Sequence, residues 1–290
     1  MTPLDARALL KRYGLRPSKG LGQNFLVNQT ALANIVTAAE LTPDDTVLEI
    51  GAGLGTLTER LAQAAGRVVA VEIDERMVAV LHDTLSGSDH VEIVQGDILE
   101  LDLASLVAPA AQYTVVANLP YYITSAVLRH LLEACPRPRR MVVTVQREVA
   151  ERIVARPGEM SMLSVSVQFY GRPQVLFHIK PGSFYPSPDV ESAVVRVDTY
   201  EAPPVDIEDT DAFFRIVKAG FAQRRKQLRN TLAGGLHLPP EEVEAKLQQA
   251  GIDPKRRAQA LSLEDWAKVA RALAPSQGGE KQFLPLDRGG

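Results

Sequence analysis

Asn118-Leu119-Pro120-Tyr121 gathers in four residues a carboxamide, a turn whose proline offers no N–H, and an aromatic ring. This set suits an amine that is a poor nucleophile because its lone pair is delocalised into a ring. The Asn118 oxygen and a backbone carbonyl at or next to Leu119 and Pro120 can each accept one N–H bond. That turns the nitrogen toward tetrahedral geometry and frees the lone pair. Tyr121 can stack on the ring that bears the amine; if that ring is a nucleobase, it must first leave its helix or loop. No strong base is needed, because the amine's pKa falls as it attacks and the proton can leave to solvent afterwards. An Asn-initiated turn with a buried tyrosine would account for the same residues without chemistry.

A second set lies earlier in the chain. Glu49-Ile50-Gly51-Ala52-Gly53-Leu54-Gly55-Thr56 is a glycine-rich turn after a β-branched run, where the missing side chains let backbone approach a ligand closely. A dinucleotide fingerprint, GxGxxG, would need glycine at Thr56, which counts against a nicotinamide-dependent oxidoreductase. The spacing GxGxG is the commoner mark of S-adenosylmethionine binders. Glu72 follows about 20 residues on, where a carboxylate can accept from both ribose hydroxyls of a nucleoside; Asp97 can accept from an adenine amine. Gly51, Gly53, Glu72, Asp97 and Asn118 stand at the ends of successive predicted strands, and ligands of such sheets bind at those carboxyl ends.

The elements that would position them follow from the apolar pattern. β-branched runs at 46–50, 67–72, 91–94, 113–117 and 141–145 alternate with helix-length stretches, which predicts an α/β fold with a parallel sheet covered on both faces. Closely spaced runs at 163–170, 175–180 and 192–197 predict an antiparallel edge. An acidic, proline-bearing segment after Tyr200 reads as a linker. The organisation expected is therefore a domain over 1–200 with a helical N-terminal extension, a small all-helical domain over 201–274 with helices at 211–232, 240–250 and 262–274, and a disordered tail at 275–290.

The motifs Gln23-Asn24-Phe25-Leu26, Glu49 to Thr56, Asn118 to Tyr121, and Ser183-Phe184-Tyr185-Pro186-Ser187-Pro188-Asp189-Val190-Glu191-Ser192 closely resemble those of the KsgA-type small-subunit ribosomal RNA adenine dimethyltransferases. They occur in the family's order over about Lys11 to Asp265. The resemblance implies a Rossmann-like, class I methyltransferase sheet. It also implies transfer of methyl groups from S-adenosyl-L-methionine, leaving S-adenosyl-L-homocysteine, to N6 of two adjacent adenines in the hairpin loop near the 3′ end of small-subunit rRNA. Cofactor contacts are then expected at Asn24, Leu26, Gly51, Gly53, Glu72, Asp97 and Asn118, with Asn118, Leu119, Pro120, Tyr121 and Phe184 catalytic and the target base held between Tyr121 and Phe184. Phe184, between Gly182 and Pro186, reads on its own residues as a ring presented by a loop. A related large-subunit rRNA methyltransferase that confers macrolide resistance is the alternative within the same chemistry.

Composition narrows the partners. One cysteine, Cys135, excludes a disulfide framework and a four-thiolate metal site, and the five histidines show no ligand-pair spacing, so no metal is expected. No apolar run is long enough for a membrane span, and the expected location is the cytoplasm. The 32 Lys and Arg against 35 Asp and Glu give a net charge of -3, which argues against nucleic acid only if the charges are evenly mixed. They are not. Lys218, Arg224, Arg225, Lys226 and Arg229 fall together on the first predicted helix of the second domain, with no acid between Phe213 and Leu232, and are the candidate RNA-binding set. Arg137, Arg139, Arg140, Arg147, Arg152 and Arg156 mark another basic stretch; Lys11, Arg12, Arg16 and Lys19 mark a third. The expected partner is small-subunit rRNA within an immature 30S-type particle, bound by a monomer.

Overall fold

A computed structural model of the chain describes residues 5–18 and 20–274. The expected disordered tail at 275–290 and Lys19 lie outside the described residues. The chain divides into two compact units, Met1–Pro204 and Val205–Gly290.

The first unit runs α1 (Ala6–Arg12), β1 (Phe25–Leu26), α2 (Gln29–Ala39), β2 (Thr46–Ile50), α3 (Thr58–Ala62), β3 (Arg67–Glu72), α4 (Glu75–Thr84), β4 (Val91–Gln95), α5 (Leu103–Val107) and β5 (Thr114–Asn118). It continues with α6 (Thr124–Glu133), β6 (Arg140–Gln146), α7 (Arg147–Ile153), α8 (Met162–Tyr170), β7 (Gly171–Ile179), β8 (Phe184–Tyr185) and β9 (Ser192–Thr199). Seven strands form one sheet in the order β4-β3-β2-β5-β6-β9-β7. The first five are parallel and match the predicted runs to within one residue at each end, while β9 lies antiparallel to β6 and to β7.

Burial explains the order. β2, β3, β5 and β6 are nearly continuous runs of buried Val, Leu, Ile and Ala, as strands covered on both faces must be. On one face Leu32 and Ile35 of α2 and Leu61 of α3 pack with Val47, Val68, Val116 and Val142. Beside them, Leu81 of α4 packs with Ala52 and Ala70 in an adjoining cluster. Each such aliphatic side chain contributes about 1.5–3 kcal/mol when fully buried. Strand order reverses between β2 and β5, so the connections leaving their carboxyl ends diverge and open a crevice there.

One predicted strand is a helix. Residues 163–170 alternate apolar and polar, yet they form α8, whose serines are buried along with its aliphatic positions. Ser164 and Ser166 are small enough to pack inside, so alternation here does not mark a wet and a dry face. The local signal for the helix is a capping box: the Ser164 N–H donates to Ser161 Oγ at 3.2 Å and the Ser161 N–H to Ser164 Oγ at 2.6 Å.

The second unit holds α9 (Thr210–Phe221), α10 (Leu228–Leu236), α11 (Pro240–Gln249) and α12 (Leu263–Leu273) around buried Phe213, Leu228, Leu247 and Trp266. The single helix expected at 211–232 is therefore two, separated at 222–227. The second begins where it does because the Leu228 and Arg229 N–H groups donate to the Arg256 and Pro254 carbonyls, at 2.7 and 3.2 Å. A cap supplied by residues so distant in sequence leaves no local signature. Among the described residues no helix is long and apolar enough to cross a membrane.

The capping box carries a prediction. Ser161→Ala removes the side chain that caps α8 and should lower stability in urea unfolding by about 1 kcal/mol. An unchanged unfolding midpoint would contradict the cap.

Candidate active site

Four of the parallel strands end around one crevice. After β2 the chain turns through Gly51 and Gly53, at φ 73° and 57°, a left-handed backbone that favours glycine. Space demands it as well, since a Cβ at Gly53 would lie 3.0 Å from Phe25 Cε1. The turn then aims its Gly53 N–H at Glu72 Oε2, 2.8 Å away at the end of β3, while the Asp74 N–H donates to Glu72 Oε1 at 2.9 Å. Both carboxylate oxygens are thus fixed before any ligand arrives, and each keeps a lone pair. Burial pushes the Glu72 pKa above the ordinary carboxylate range, and the N–H bonds from Asp74 and Gly53 hold part of that rise back. Asp97, just past β4, accepts from the Leu99 N–H at 2.9 Å through Oδ1.

Asn118 closes β5. Its Nδ2 donates to the Asn24 carbonyl at 3.0 Å, which orients the carboxamide and leaves Oδ1 as an acceptor. The Pro120 carbonyl is already engaged by the Ile123 N–H and Thr124 Oγ1, at 3.2 and 3.3 Å. Tyr121 is half-buried, with its hydroxyl 2.7 Å from Ser192 Oγ at the start of β9. Burial raises the phenol pKa, and the bond with Ser192 opposes that rise.

A strap crosses the crevice between α1 and β1. Gln23 accepts from the Ser18 N–H at 2.7 Å and donates to Asp74 Oδ2 at 2.9 Å, while Asn24 Nδ2 donates to the Gly22 carbonyl at 3.1 Å. These bonds present Asn24's backbone to Asn118.

Of the residues singled out from sequence, Asn24, Gly51, Gly53, Glu72, Asp97, Asn118, Leu119, Pro120 and Tyr121 line this one crevice. Leu26 and Phe184 do not. They are directly paired in the two-stranded ribbon of β1 and β8, and both point into the cluster that holds Leu32 and Ile35. Phe184 is only 2% exposed, so it is a core residue rather than a presented ring, and no Tyr121–Phe184 sandwich stands open in this structure. The cause is the strand pairing itself, which turns Phe184 inward and Tyr185 outward. Sequence reasoning missed Ile73, Ile98 and Tyr122 in the crevice wall. Their signal was available: each directly follows a residue already singled out.

In the second unit Lys218 lies on α9 and Arg224, Arg225 and Lys226 on the 222–227 connection, all exposed and without an ion pair among the described residues. Arg229 differs, since it sits on α10 and pairs with Glu244 at 2.5 Å. Half of the six arginines in the basic stretch of the first unit are also paired: Arg139 with Asp45, Arg140 with Glu40 and Asp198, and Arg147 with Glu151 and Glu191.

Residues 15–275 match the ribosomal RNA adenine dimethylase family. The chain is 46% identical over 262 residues to a ribosomal RNA small subunit methyltransferase A from Dehalococcoides mccartyi, covering 90% of each chain. It is 45% identical over 282 residues to the protein of the same name from Moorella thermoacetica, covering 94% of this chain and 98% of that one. Among solved structures it is similar to a dimethyladenosine transferase from Plasmodium falciparum, with TM-score 0.73 and 25% identity over 84% of this chain and 95% of that one. It is also similar to the 23S rRNA methyltransferase ErmE, with TM-score 0.69 and 30% identity over 86% of this chain and 99% of that one.

A buried carboxyl beneath the glycine turn sets a pH dependence. Glu49, in the middle of β2, has its pKa raised from 4.5 to about 8 by burial, opposed by the nearby Thr58 hydroxyl and reinforced by the Glu72 charge. Neither Glu49 Oε2 nor Thr58 Oγ1 has a hydrogen-bond partner among the described residues. Because the folded pKa lies above the unfolded one, the stability that Glu49 contributes is complete below pH 4.5 and is lost as pH rises through about 8. The loss runs at up to about 1.4 kcal/mol per pH unit. Glu49→Gln should therefore gain on the wild type in urea unfolding from pH 5 to pH 9; parallel stability profiles would contradict the assignment.

Proposed function

Because the chain belongs to the ribosomal RNA adenine dimethylase family, we infer that it transfers methyl groups to N6 of adenines in small-subunit rRNA, and that it does so in the crevice at Asn118. The observation that carries the assignment of the site is the orientation of Asn118. With one Nδ2 N–H held by the Asn24 carbonyl, the carboxamide is oriented and its oxygen is open to accept an N–H from the target amine. The Leu119 carbonyl is the second acceptor, since the Pro120 carbonyl holds the turn. Two accepted bonds pull the amine out of conjugation and aim its lone pair, so the residues work by orientation and electrostatics. No base need face the nitrogen; its proton passes to solvent once the amine has become acidic.

The donor set fits S-adenosyl-L-methionine. Glu72, with both oxygens held and a lone pair free on each, can accept two vicinal ribose hydroxyls; Asp97 can accept an adenine amine; Gly51 and Gly53 leave room that side chains would fill. Phe25 offers a ring to a sulfonium. When bound, this cofactor supplies a methyl carbon made electrophilic by the positive sulfur. On this reading the substrate is a pair of adjacent adenines in the hairpin loop near the 3′ end of the rRNA, converted to N6,N6-dimethyladenosines. Lys218, Arg224, Arg225 and Lys226 hold phosphates without reading sequence. We place the reaction in the cytoplasm, on an immature 30S-type particle bound by one copy of the chain. The large-subunit alternative shares the core, but the greater likeness to proteins named for the small subunit favours the small-subunit reading.

Two measurements test this. Asn118→Ala should slow methyl transfer to unmodified small-subunit particles on the order of 10²- to 10³-fold, as does loss of one oriented hydrogen-bonding partner elsewhere. Mass spectrometry of the rRNA reads the outcome, and wild-type rates in the variant would refute the role. Replacing Arg224, Arg225 and Lys226 together by alanine should weaken particle binding and reduce the log–log salt slope by about 2. An unchanged slope would remove the 222–227 connection from the interface.

A further inference from the structure

Four large apolar side chains are exposed among the described residues: Ile73, Tyr122, Tyr185 and Val190. Two of them, Ile73 at 46% and Tyr122 at 60%, belong to the crevice wall. Exposing a tyrosine to that extent at the opening of a ligand site leaves an apolar face hydrated until something covers it. The other exposed tyrosine, Tyr185, already has the Arg7 guanidinium 4.9 Å from its ring centre. Tyr122 has no ring or cation partner among the described residues. It rests against Gly22 of the strap, where a Cβ would come within 3.3 Å of Tyr122 Cδ1, and this contact props the ring in place. Its neighbour Tyr121 is tied to Ser192, and Phe184 is buried.

We propose that Tyr122 is a stacking platform for the base next to the target adenine. The inference rests on the rRNA reading above and deepens it. A base drawn into the crevice takes leave of its neighbour, which loses its stacking partner but remains one sugar-phosphate step away. Tyr122 is one residue beyond Tyr121, at the opening rather than the floor, where that neighbour arrives. Base–aromatic stacking tolerates any base, and with two adjacent adenines to modify, the same ring serves whichever one is outside the crevice. Tyr122 is a positioning residue, because it touches the neighbouring base and not the reacting nitrogen.

The test uses the full chain with unmethylated small-subunit particles. Tyr122→Leu keeps an apolar contact on Gly22 but removes the ring, and Tyr122→Phe keeps the ring. The leucine variant should raise KM for the particle about ten- to a hundredfold, the effect of losing one base–aromatic stack, with kcat and the affinity for S-adenosylmethionine unchanged. The phenylalanine variant should restore the wild-type KM. A wild-type KM in Tyr122→Leu overturns the proposal, and so does a loss of cofactor affinity, which would make Tyr122 a wall of the cofactor site. If the wild-type protein itself modifies no adenine of the particle, the rRNA reading fails and takes the proposal with it.

Discussion

The hydrogen bond from Asn118 Nδ2 to the Asn24 carbonyl joins the parts of the first unit that have to agree before any chemistry can happen. Asn118 is delivered by a central parallel strand, and its place is set by pairing with β6 and by the covered core on either side. Asn24 is delivered by a strap from outside the sheet, held by Gln23 to Asp74 at the start of α4. Their meeting decides which end of a carboxamide faces the crevice. A free asparagine can turn either end to a ligand; here one N–H is held by Asn24, which fixes the orientation of the oxygen.

The half of the crevice around Glu72 is organised by an analogous constraint. Glu72 is buried, which raises the cost of its charge, and the structure offsets this with two backbone N–H groups. One of these belongs to Gly53, so the left-handed glycine turn serves first to hold a carboxylate and only then to make room for a ligand. Phe25, lying against the same turn, gives the absence of a Cβ at Gly53 a steric meaning as well. Glu49 sits below on the adjoining strand with an oxygen unpartnered among the described residues, so two carboxyls are buried here, one bonded through both oxygens and one not. That inequality separates them: Glu72 has both oxygens held in the crevice wall, and Glu49 lies beneath with its pKa raised to about 8.

Much of this was legible in the amino acids. The five parallel strands follow from β-branched runs, because strands covered on both faces must be apolar throughout. Gly51, Gly53, Glu72, Asp97 and Asn118 could be assigned to one crevice because each directly ends or follows such a run, and parallel strands place all their carboxyl ends on the same side. Ile73, Ile98 and Tyr122 were readable by the same logic, one residue further on. The run at 163–170, expected as a strand, is a helix whose serines are buried with its aliphatic positions, so α8 is dry on nearly every side.

Residue type and spacing, then, determined the sheet, the turn and the identity of the polar groups at the strand ends, because these depend on period, backbone freedom and hydrogen-bonding capacity, all local properties. What the tertiary structure alone decided was which side chains are covered and which charges are spent. Phe184 became core because β1 happened to be its partner strand; Arg229 left the basic cluster because Glu244 on another helix reached it; α9 and α10 separated where carbonyls from 254–256 supplied a cap. Each outcome turns on a partner distant in sequence, and no window along the chain contains both members of such a pair. Asn118 shows both sides at once: its type announces a hydrogen-bonding role, and only the fold turns its nitrogen to the Asn24 carbonyl and fixes the orientation of its oxygen.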